Sequence, residues 1–298
     1  MQLKIWQKAI RLKTLPLASG GIMLGSFLAA YEYSFSVKIF IFSLLTAVFL
    51  QILSNLSNDY GDFKKGTDNT ANRTDRALSS GQVTEKSMKN AIIFMSVASF
   101  LTGIILLVLS FKKIDSNFII WLTIGLTAIV ASIKYTVGKN AYGYKGWGDF
   151  FVLVFFGYVS VVGSYYLMSG RLHSLVLLPS TAFGLLCVAV LNINNLRDID
   201  SDKISGKKTI AVILGYKNAL IYQYSLLFTA ILIFIYFSKI TQTEFDYIVP
   251  PIAAIFYYFA LKKISKPTAA TKDYNQALKN VSLINLILVI VLGIFWIM

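Results

Sequence analysis

The sequence has very few of the residues that form disulfides or carry out histidine chemistry. It contains one cysteine and one histidine among 298 residues. Cys187 has no second cysteine to pair with, so an intrachain disulfide is excluded and we interpret it as a packing residue. His173 lies beside Arg171 and far along the sequence from most acidic residues, which makes histidine acid–base catalysis an unlikely basis for activity.

Charge is also scarce. Charged residues make up 14% of the chain, hydrophobic residues 56%, and the mean hydropathy is +0.65. These values lie outside the range of ordinary soluble domains, and the longest polar stretches, 60–86 and 197–217, are too short to form one. The pattern predicts an all-α integral membrane protein, a single domain over residues 1–298, with nine transmembrane helices at about 15–36, 38–58, 87–110, 117–134, 149–168, 174–195, 218–238, 245–261 and 280–297.

The basic residues predict an orientation for these spans. If the N-terminus lies in the cytoplasm, 23 of the 28 lysines and arginines fall on the inner side. The positive-inside rule therefore predicts a cytoplasmic N-terminus and an outer C-terminus. We interpret the net charge of +14 as a sign of topology and of contact with anionic membrane lipid, with no nucleic-acid partner. Residues 2–13 are predicted to form an interfacial helix, with Leu3, Trp6 and Ile10 facing lipid.

Acidic residues are concentrated in two short segments. Eight of the 14 lie there, one group after the second apolar run and one after the sixth. If both helices continue, Asn58 and Asp62 share a face, and Asn194, Asp198 and Asp202 form one stripe. Carboxylate and amide oxygens without histidine or cysteine form a hard ligand set, which favours Mg²⁺. The alternative is that these are solvated carboxylates that balance the positive inner loops.

Basic residues accompany the acids, which suggests a ligand that carries phosphate groups. A metal between two acidic clusters, flanked by arginine and lysine, is suited to bind a diphosphate. A diphosphate attached to a lipid suits a protein that is nearly all membrane. The two Asn-x-x-x-Asp pairs are also 136 residues and four predicted spans apart, which indicates a parallel duplication. The basic residues are Arg73, Arg76, Lys139, Arg197, Lys203, Lys207 and Lys208.

Two sequence segments resemble the aspartate-rich motifs of the UbiA superfamily of intramembrane prenyltransferases. They are "NDYGDFKKGTD", followed by "RALSSG", and "NNLRDIDSDKISGKKTIAVILG". Three more stretches, "RLKTLPLASGGIMLG", "YTVGKNAYGYKGWGD" and "FVLVFFGYVSVVGSYYL", are similar to the branch that prenylates 1,4-dihydroxy-2-naphthoate in menaquinone synthesis. The resemblance covers most of residues 11–215.

The resemblance implies a fold and a reaction. The fold is a UbiA-like helical bundle in the plasma (bacterial inner) membrane, with a central cavity open to the cytoplasmic side. The reaction is Mg²⁺-dependent transfer of a polyprenyl group from polyprenyl diphosphate to the naphthoate, with loss of diphosphate and CO₂, giving demethylmenaquinone.

Matching the motifs position by position assigns roles to individual residues. The superfamily places a third acid at residue 66, which is Gly66 here, and Asp68 stands two positions later, a spacing that the naphthoate branch shares. Asp149 is assigned to the acceptor, although it fits equally well as a helix cap. The implied metal ligands are Asn58, Asp62, Asp68, Asn194, Asp198 and Asp202; the catalytic residues Asp62, Asp198, Lys139 and Tyr135; the diphosphate-binding residues Arg76, Lys139, Arg197 and Lys207; and the acceptor-binding residues Asp149 and Tyr144.

Other functions fit part of this pattern. One is prenyl transfer to a different aromatic acceptor, 4-hydroxybenzoate or homogentisate. Another is a cation-coupled secondary transporter, since such proteins also contain intramembrane acids and helical repeats. Transporters hold their coupling acids near the middle of the membrane, however, whereas both groups here lie at the ends of spans. A non-catalytic lipid-binding scaffold is the third alternative.

Overall fold

The computed structural model describes residues 2–67, 76–241, 246–266 and 268–298, and the side chains from residue 5 onward within those ranges. This part of the chain is helical and contains no strand. A π-helical segment, Leu153–Val162, joins α6 to α7 without a break. The helices are α1 (Gln2–Ile10), α2 (Leu15–Tyr31), α3 (Val37–Lys64), α4 (Glu85–Ser110), α5 (Ser116–Lys134), α6 (Gly148–Val152), α7 (Gly163–Ser169), α8 (Leu177–Arg197), α9 (Ile199–Ile204), α10 (Ile210–Thr241), α11 (Val249–Leu261) and α12 (Thr271–Ile297).

Eight helical stretches in the described residues are long and apolar enough to cross a membrane. They agree with eight of the nine predicted spans, so the chain is a multi-pass membrane protein. The remaining prediction, 245–261, corresponds to a shorter apolar stretch, Asp246–Leu261. At a rise of 1.5 Å per residue this stretch is about 24 Å long, which is less than the ~30 Å thickness of a typical hydrocarbon core.

Contacts at both ends of this shorter stretch define the direction of α11. At its start, Asp246 accepts a 2.8 Å hydrogen bond from the indole N–H of Trp296, near the end of α12. Just beyond its end, the carbonyl oxygen of Ile264 accepts a 2.6 Å hydrogen bond from the hydroxyl of Tyr216, near the start of α10. α11 therefore runs antiparallel to both α10 and α12 and connects opposite ends of that helix group.

The main apolar core surrounds α8. Phe183, Leu186 and Ile193 of α8 have no exposed surface, and they pack with residues of α2, α10, α11 and α12. Cys187 is buried in the same core with 1% exposure, as expected for a packing residue. α8 is thus the central helix of the bundle. The second acidic motif lies at its C-terminal end.

The N-terminal helix packs on protein. Ala9 is buried with Leu56 of α3 and Met88 of α4, and the side chains of Trp6 and Ile10 contact that cluster. Trp6 and Ile10 are half-buried against protein, so the prediction that they face lipid missed this packing, and the side chain of Leu3 lies outside the described residues. The amphipathic pattern is real, but its apolar face is covered by α3 and by the segment that leads into α4, because a protein surface and a lipid surface select the same apolar stripe.

Candidate active site

The first motif is organised around Asp62, which lies in the last turn of α3 with 3% exposure. The guanidinium group of Arg76 lies 3.2 Å from its Oδ2 atom. The hydroxyl of Tyr144 donates to its Oδ1 atom at 2.9 Å and lies 2.7 Å from the hydroxyl of Thr67. Both carboxylate oxygens therefore have partners, which fix the orientation of the side chain.

Asn58, one turn before Asp62, is held by the loop that follows α5. The hydroxyl of Thr136 lies 3.3 Å from Asn58 Oδ1 and donates to the Ser57 carbonyl at 2.9 Å. Gly61 permits this approach, because a Cβ atom there would lie 2.5 Å from the Thr136 hydroxyl oxygen. The motif glycine thus allows the loop to pack directly against the end of α3.

The second motif lies where α8 ends and α9 begins, with Asp198 between the two helices. The expected continuous helix is therefore interrupted at this residue. The helical hydrogen bonds persist, because the amide of Asp198 bonds to the Asn194 carbonyl at 3.2 Å and that of Asp202 to the Asp198 carbonyl at 2.8 Å. Asp198 and Asp202 are buried, whereas Asp200 is exposed. The predicted stripe is preserved despite the interruption.

Arg197 binds the second motif from within it. Its guanidinium group donates to both carboxylate oxygens of Asp198 at 2.8 Å and to Asn194 Oδ1 at 2.6 Å. It also donates at 2.8 Å to Asn275 Oδ1 on α12, which accepts a further 3.0 Å hydrogen bond from Lys13. This predicted diphosphate-binding residue therefore connects the second motif to the first and last parts of the chain.

Lys207 connects the two motifs. Its ammonium group lies 3.6 Å from Asp202 Oδ1 and 5.4 Å from the centroid of the Tyr144 ring, and the Lys65 ammonium lies 3.5 Å from the same centroid. Burial opposes the charge of Lys207, but the carboxylates of Asp62 and Asp202 outweigh this effect and raise its pKa above the usual range. Lys207 is therefore a buried cation placed between acids of both motifs.

A cavity of about 320 Å³ extends from these motifs into the bundle, between α2, α3, α4, α5 and the π-helical segment. Its walls change in character along its length, so that it suits a ligand with a charged head and an apolar tail. Its charged and polar lining includes Asn58, Asp62, Arg76, Asn194 and Lys207. Its apolar lining includes Trp121, Leu122, Phe155, Phe156, Val159 and Leu167.

A second cavity, of about 490 Å³, lies against the same motifs on the side of the N-terminal segment. Asn194 and Arg76 line both cavities, so the two meet at the motifs. Its lining is strongly basic and includes Lys8, Arg11, Lys13, Arg76 and Arg197, together with Asp59 and Asn194.

Some predicted site residues lie elsewhere. Lys139 is exposed on the turn after α5, and it is not among the residues that line either cavity. Asp149 accepts a 2.9 Å hydrogen bond from the Tyr222 hydroxyl and is also outside the cavity lining, so its acceptor role stays a prediction. Tyr135 does line the cavity, and burial raises its pKa to about 12. Asp68 lies outside the described residues.

The described residues contain no cluster of three histidine, cysteine, aspartate or glutamate side chains that could hold a metal. Each motif instead offers one amide and one carboxylate, Asn58 with Asp62 and Asn194 with Asp198. The buried Oδ1 atom of Asp59 has no hydrogen-bond partner within the described chain. These hard oxygen donors fit Mg²⁺ that completes its coordination with phosphate oxygens, as Mg²⁺ sites on proteins commonly do.

Sequence reasoning missed several supporting residues. Lys65 directly follows the first acidic group, and this adjacency was the signal available for it. No sequence pattern points to Thr136 or Asn275, because each is distant from its motif in the sequence and contacts it only in the folded structure. The sequence assigned Tyr144 to the acceptor; in the structure its hydroxyl forms hydrogen bonds with Asp62 and Thr67.

Comparisons with known proteins agree with this geometry. Residues 19–296 match the UbiA prenyltransferase family. The chain is 46% identical over 223 residues to the 1,4-dihydroxy-2-naphthoate octaprenyltransferase of Escherichia coli (strain K12), covering 74% of this chain and 72% of the relative. It is 43% identical over 244 residues to the protein of the same name from Haemophilus influenzae, covering 80% and 79%.

A solved structure shares the fold. The UbiA homolog from Archaeoglobus fulgidus bound to GPP and Mg²⁺ aligns with a TM-score of 0.64 at 17% sequence identity, covering 98% of this chain and 99% of that one. The family match spans nearly the whole chain, including both aspartate-rich motifs and the helices that line the cavity. The chain therefore belongs to the UbiA prenyltransferase family.

Proposed function

We propose that the protein transfers a polyprenyl group from a polyprenyl diphosphate to 1,4-dihydroxy-2-naphthoate, releasing diphosphate and CO₂ and giving demethylmenaquinol, the reduced form of demethylmenaquinone. The observation that carries the proposal is the cavity. Its lining includes Asn58 and Asp62 of the first motif, Asn194 and Lys207 of the second, and many apolar residues further along. The names of the relatives support the acceptor, because the matched regions cover more than two thirds of each chain.

The basic residues act on the leaving group. Negative charge accumulates on the diphosphate as its bond to the allylic carbon breaks, and fixed positive charges lower the energy of that state. Arg76 and Lys207 line the cavity beside Asp62, and the ammonium groups of Lys65 and Lys207 both lie near the Tyr144 ring. When bound, Mg²⁺ supplies further positive charge at the phosphate oxygens. Its proposed ligands are Asn58, Asp62, Asp68, Asn194, Asp198 and Asp202.

Aromatic rings face the position where the allylic carbon becomes positive. Tyr135 and Tyr142 both line the cavity with ring centroids 5.3 Å apart, and Tyr142 stacks on Phe151 at 3.9 Å. The faces of such rings attract cations. Burial raises the pKa of Tyr135 to about 12, so its phenol stays neutral well above pH 7, and we propose that the residue acts through its ring. The electron-rich naphthoate ring then forms the new carbon–carbon bond, and loss of CO₂ restores its aromaticity.

We further propose nine crossings, with the N-terminus and the active site on the cytoplasmic side of the plasma membrane. The contacts of α11 with opposite ends of α10 and α12 support a ninth crossing, and 23 of the 28 basic residues then face inward. Reporter fusions after Met298 test this topology. They should report the outer side, whereas a cytoplasmic reporter would mean that α11 does not cross.

The function is tested with purified protein in detergent, Mg²⁺ and a labelled polyprenyl diphosphate. Naphthoate labelled at its carboxyl group, 4-hydroxybenzoate and homogentisate are supplied in separate reactions. We expect a prenylated product and labelled CO₂ with naphthoate, and loss of turnover when Mg²⁺ is chelated. Product with 4-hydroxybenzoate or homogentisate alone would overturn the acceptor. No product with any acceptor, in folded protein, would overturn the transferase and favour the transporter, whose activity needs a gradient across vesicles.

A further inference from the structure

The second cavity is lined predominantly by positive charge. Within the described chain its lining contains five basic residues and one acid, Asp59. Two of the five are the arginines that pair with the carboxylates of the motifs. The other three belong to the N-terminal segment and are Lys8, Arg11 and Lys13. Such a lining favours an anion with more than one negative charge.

Arg11 has two features that are typical of a ligand-binding position. Its backbone, with φ 54° and ψ 62°, lies in the left-handed region that residues with a Cβ atom seldom adopt. Its Nη2 atom is buried and has no hydrogen-bond partner within the described chain. Arg11 also lines both cavities. A strained backbone and an unpaired guanidinium nitrogen therefore occur together where the two cavities meet, which indicates that an anion binds there.

The second cavity extends from the motifs to the surface of the protein. At its inner end, Arg76 and Asn194 belong to the lining of both cavities. At its outer end, the lining residues Gln7, Lys8 and Leu12 are exposed. Most residues between these ends are polar or charged, so the cavity suits an ion that travels between the motifs and water.

The leaving group of the proposed reaction is such an ion. Diphosphate is a polyanion, and both the apolar lining of the first cavity and the surrounding lipid are unfavourable environments for it. The naphthoate carries a single carboxylate, which needs fewer cations than this lining provides. The charge of the second cavity therefore fits diphosphate better than it fits the acceptor.

We propose that the second cavity is a release site for diphosphate, which moves from the motifs past Arg76 to Arg11 and then to Lys8 at the surface. The inference rests on the proposed function, because it takes diphosphate as the leaving group. Transfer to this cavity removes the product from the motifs. A diphosphate can therefore remain bound to the protein while a new prenyl donor occupies the first cavity.

The test measures equilibrium binding of radiolabelled inorganic diphosphate to the purified full chain in detergent with Mg²⁺. Farnesyl thiodiphosphate, a donor analogue whose carbon–sulfur bond resists cleavage, is added to saturation so that it fills the first cavity. We expect the wild type to retain diphosphate under these conditions. Arg11→Gln should weaken this retained binding about tenfold, because it removes a charge-assisted contact.

Two further variants make the measurement specific. Lys8→Gln should weaken the retained binding about threefold, since Lys8 is exposed, and it keeps the test available if Arg11→Gln does not fold. Lys279→Gln is the matched control. Lys279 is exposed and follows Leu278, which lines the cavity, but Lys279 is not itself among the lining residues. Its replacement removes the same charge and should leave the retained binding at the wild-type value.

The contrary outcomes are distinct. Displacement of all diphosphate by the analogue in the wild type would overturn the inference, as would equal retained binding in the wild type, Arg11→Gln and Lys8→Gln, or an equal loss in Lys279→Gln. Displacement of the retained diphosphate by naphthoate would assign the cavity to the acceptor, and displacement by short-chain phosphatidylglycerol would assign it to a lipid headgroup; either would overturn the release site. Failure of the analogue to bind the wild type would instead overturn the proposed function.

Discussion

The two halves of the bundle carry similar acidic motifs but are packed very differently. In the span Ser174–Arg197, which leads to the second motif, 61% of the most apolar 18-residue stretch is buried inside the protein. In Glu85–Ser110 and Ser116–Lys134, which lie beside α3 and the first motif, the value is 17%. The large core surrounds α8, whereas the cavity lies against α3, α4 and α5. One half therefore supports the site, and the other leaves space for the ligand.

The motifs also differ in how their partners are supplied. Asp62 is bound by Arg76 and Tyr144, which lie 14 and 82 positions further along the chain. Asp198 is bound by its neighbour Arg197. The first motif is therefore completed by tertiary structure, while the second is completed largely within its own segment and then attached to α12. The similar sequence patterns of the two motifs conceal this difference.

We expect the largest effect from replacing the carboxylate of either motif. Comparing the two variants tests whether the motifs are chemically equivalent despite their different surroundings. Asp62→Asn and Asp198→Asn should each lower kcat about a thousandfold, because each removes a carboxylate that is proposed to hold Mg²⁺ beside the leaving diphosphate. Asp200→Asn is the matched control, since Asp200 is exposed, and it should stay near wild type. Turnover is measured beside thermal unfolding in detergent. A mild effect of only one carboxylate variant would show that the motifs are not equivalent.

The packing contrast predicts different stabilities. Phe183→Ala, in the core around α8, should lower the free energy of unfolding by about 3 kcal/mol or more, because it leaves a cavity in a packed region. Phe155→Ala, on the cavity wall, should lower the free energy of unfolding by clearly less, since the Phe155 side chain already borders empty space. Chemical unfolding in detergent measures both. Equal losses would contradict the distinction between a supporting half and an open half.

Tyr144 tests the tertiary completion of the first motif. Tyr144→Phe removes the hydrogen bond to Asp62 but keeps the ring that Lys65 and Lys207 face, so we expect a fall in kcat/KM of roughly fivefold, or ~1 kcal/mol. Tyr144→Leu removes the ring as well and should lower kcat/KM further. Equal activity in Tyr144→Phe and Tyr144→Leu would show that the ring does not contribute to turnover. Wild-type activity in both variants would show that Tyr144 is not part of the active site.

The smallest effect concerns pH. Partial desolvation of the Lys65 ammonium group, aided by the charge of Lys207, outweighs the opposing charge of Asp62 and lowers the pKa of this exposed lysine. Lys65 therefore loses its proton at lower pH than an ordinary lysine. The pKa of Lys207 is raised, so its charge persists as the pH rises. Donor kcat/KM should therefore decline at alkaline pH through Lys65. Lys65→Arg should move that decline to higher pH, whereas an unchanged profile would exclude Lys65 as its source.

The sequence predicted the features that depend on local pattern. Long apolar runs identified eight spans, and helical spacing placed Asp198 and Asp202 on a buried stripe with Asp200 outside it. Features set by distant contacts were not predictable in the same way. Nothing near Tyr144 in the sequence points to Asp62, and the turn that exposes Lys139 is determined by how the loop after α5 packs on Gly61 and Ser57.

Two predictions from helical periodicity were incomplete. The apolar stripe of α1 predicted lipid contact for Trp6 and Ile10, because hydrophobicity alone does not distinguish lipid from a neighbouring helix. The continuous stripe of the second motif likewise concealed the interruption at Asp198, because the hydrogen bonds on either side of it keep the helical spacing. Periodicity reports which residues share a face, but not what covers that face.

The hydrogen bonds of Asn275 have a consequence for biogenesis. This residue, near the start of the last helix, holds both Lys13 and the Arg197 that binds Asp198. A ribosome delivers helices to the membrane in chain order, so the second motif acquires its final support only after α12 has been synthesised. A chain released before that point would contain both motifs and the cavity-lining helices α2 to α5, yet Arg197 would lack its contact with α12. Completion of the site is thus linked to the synthesis of α12.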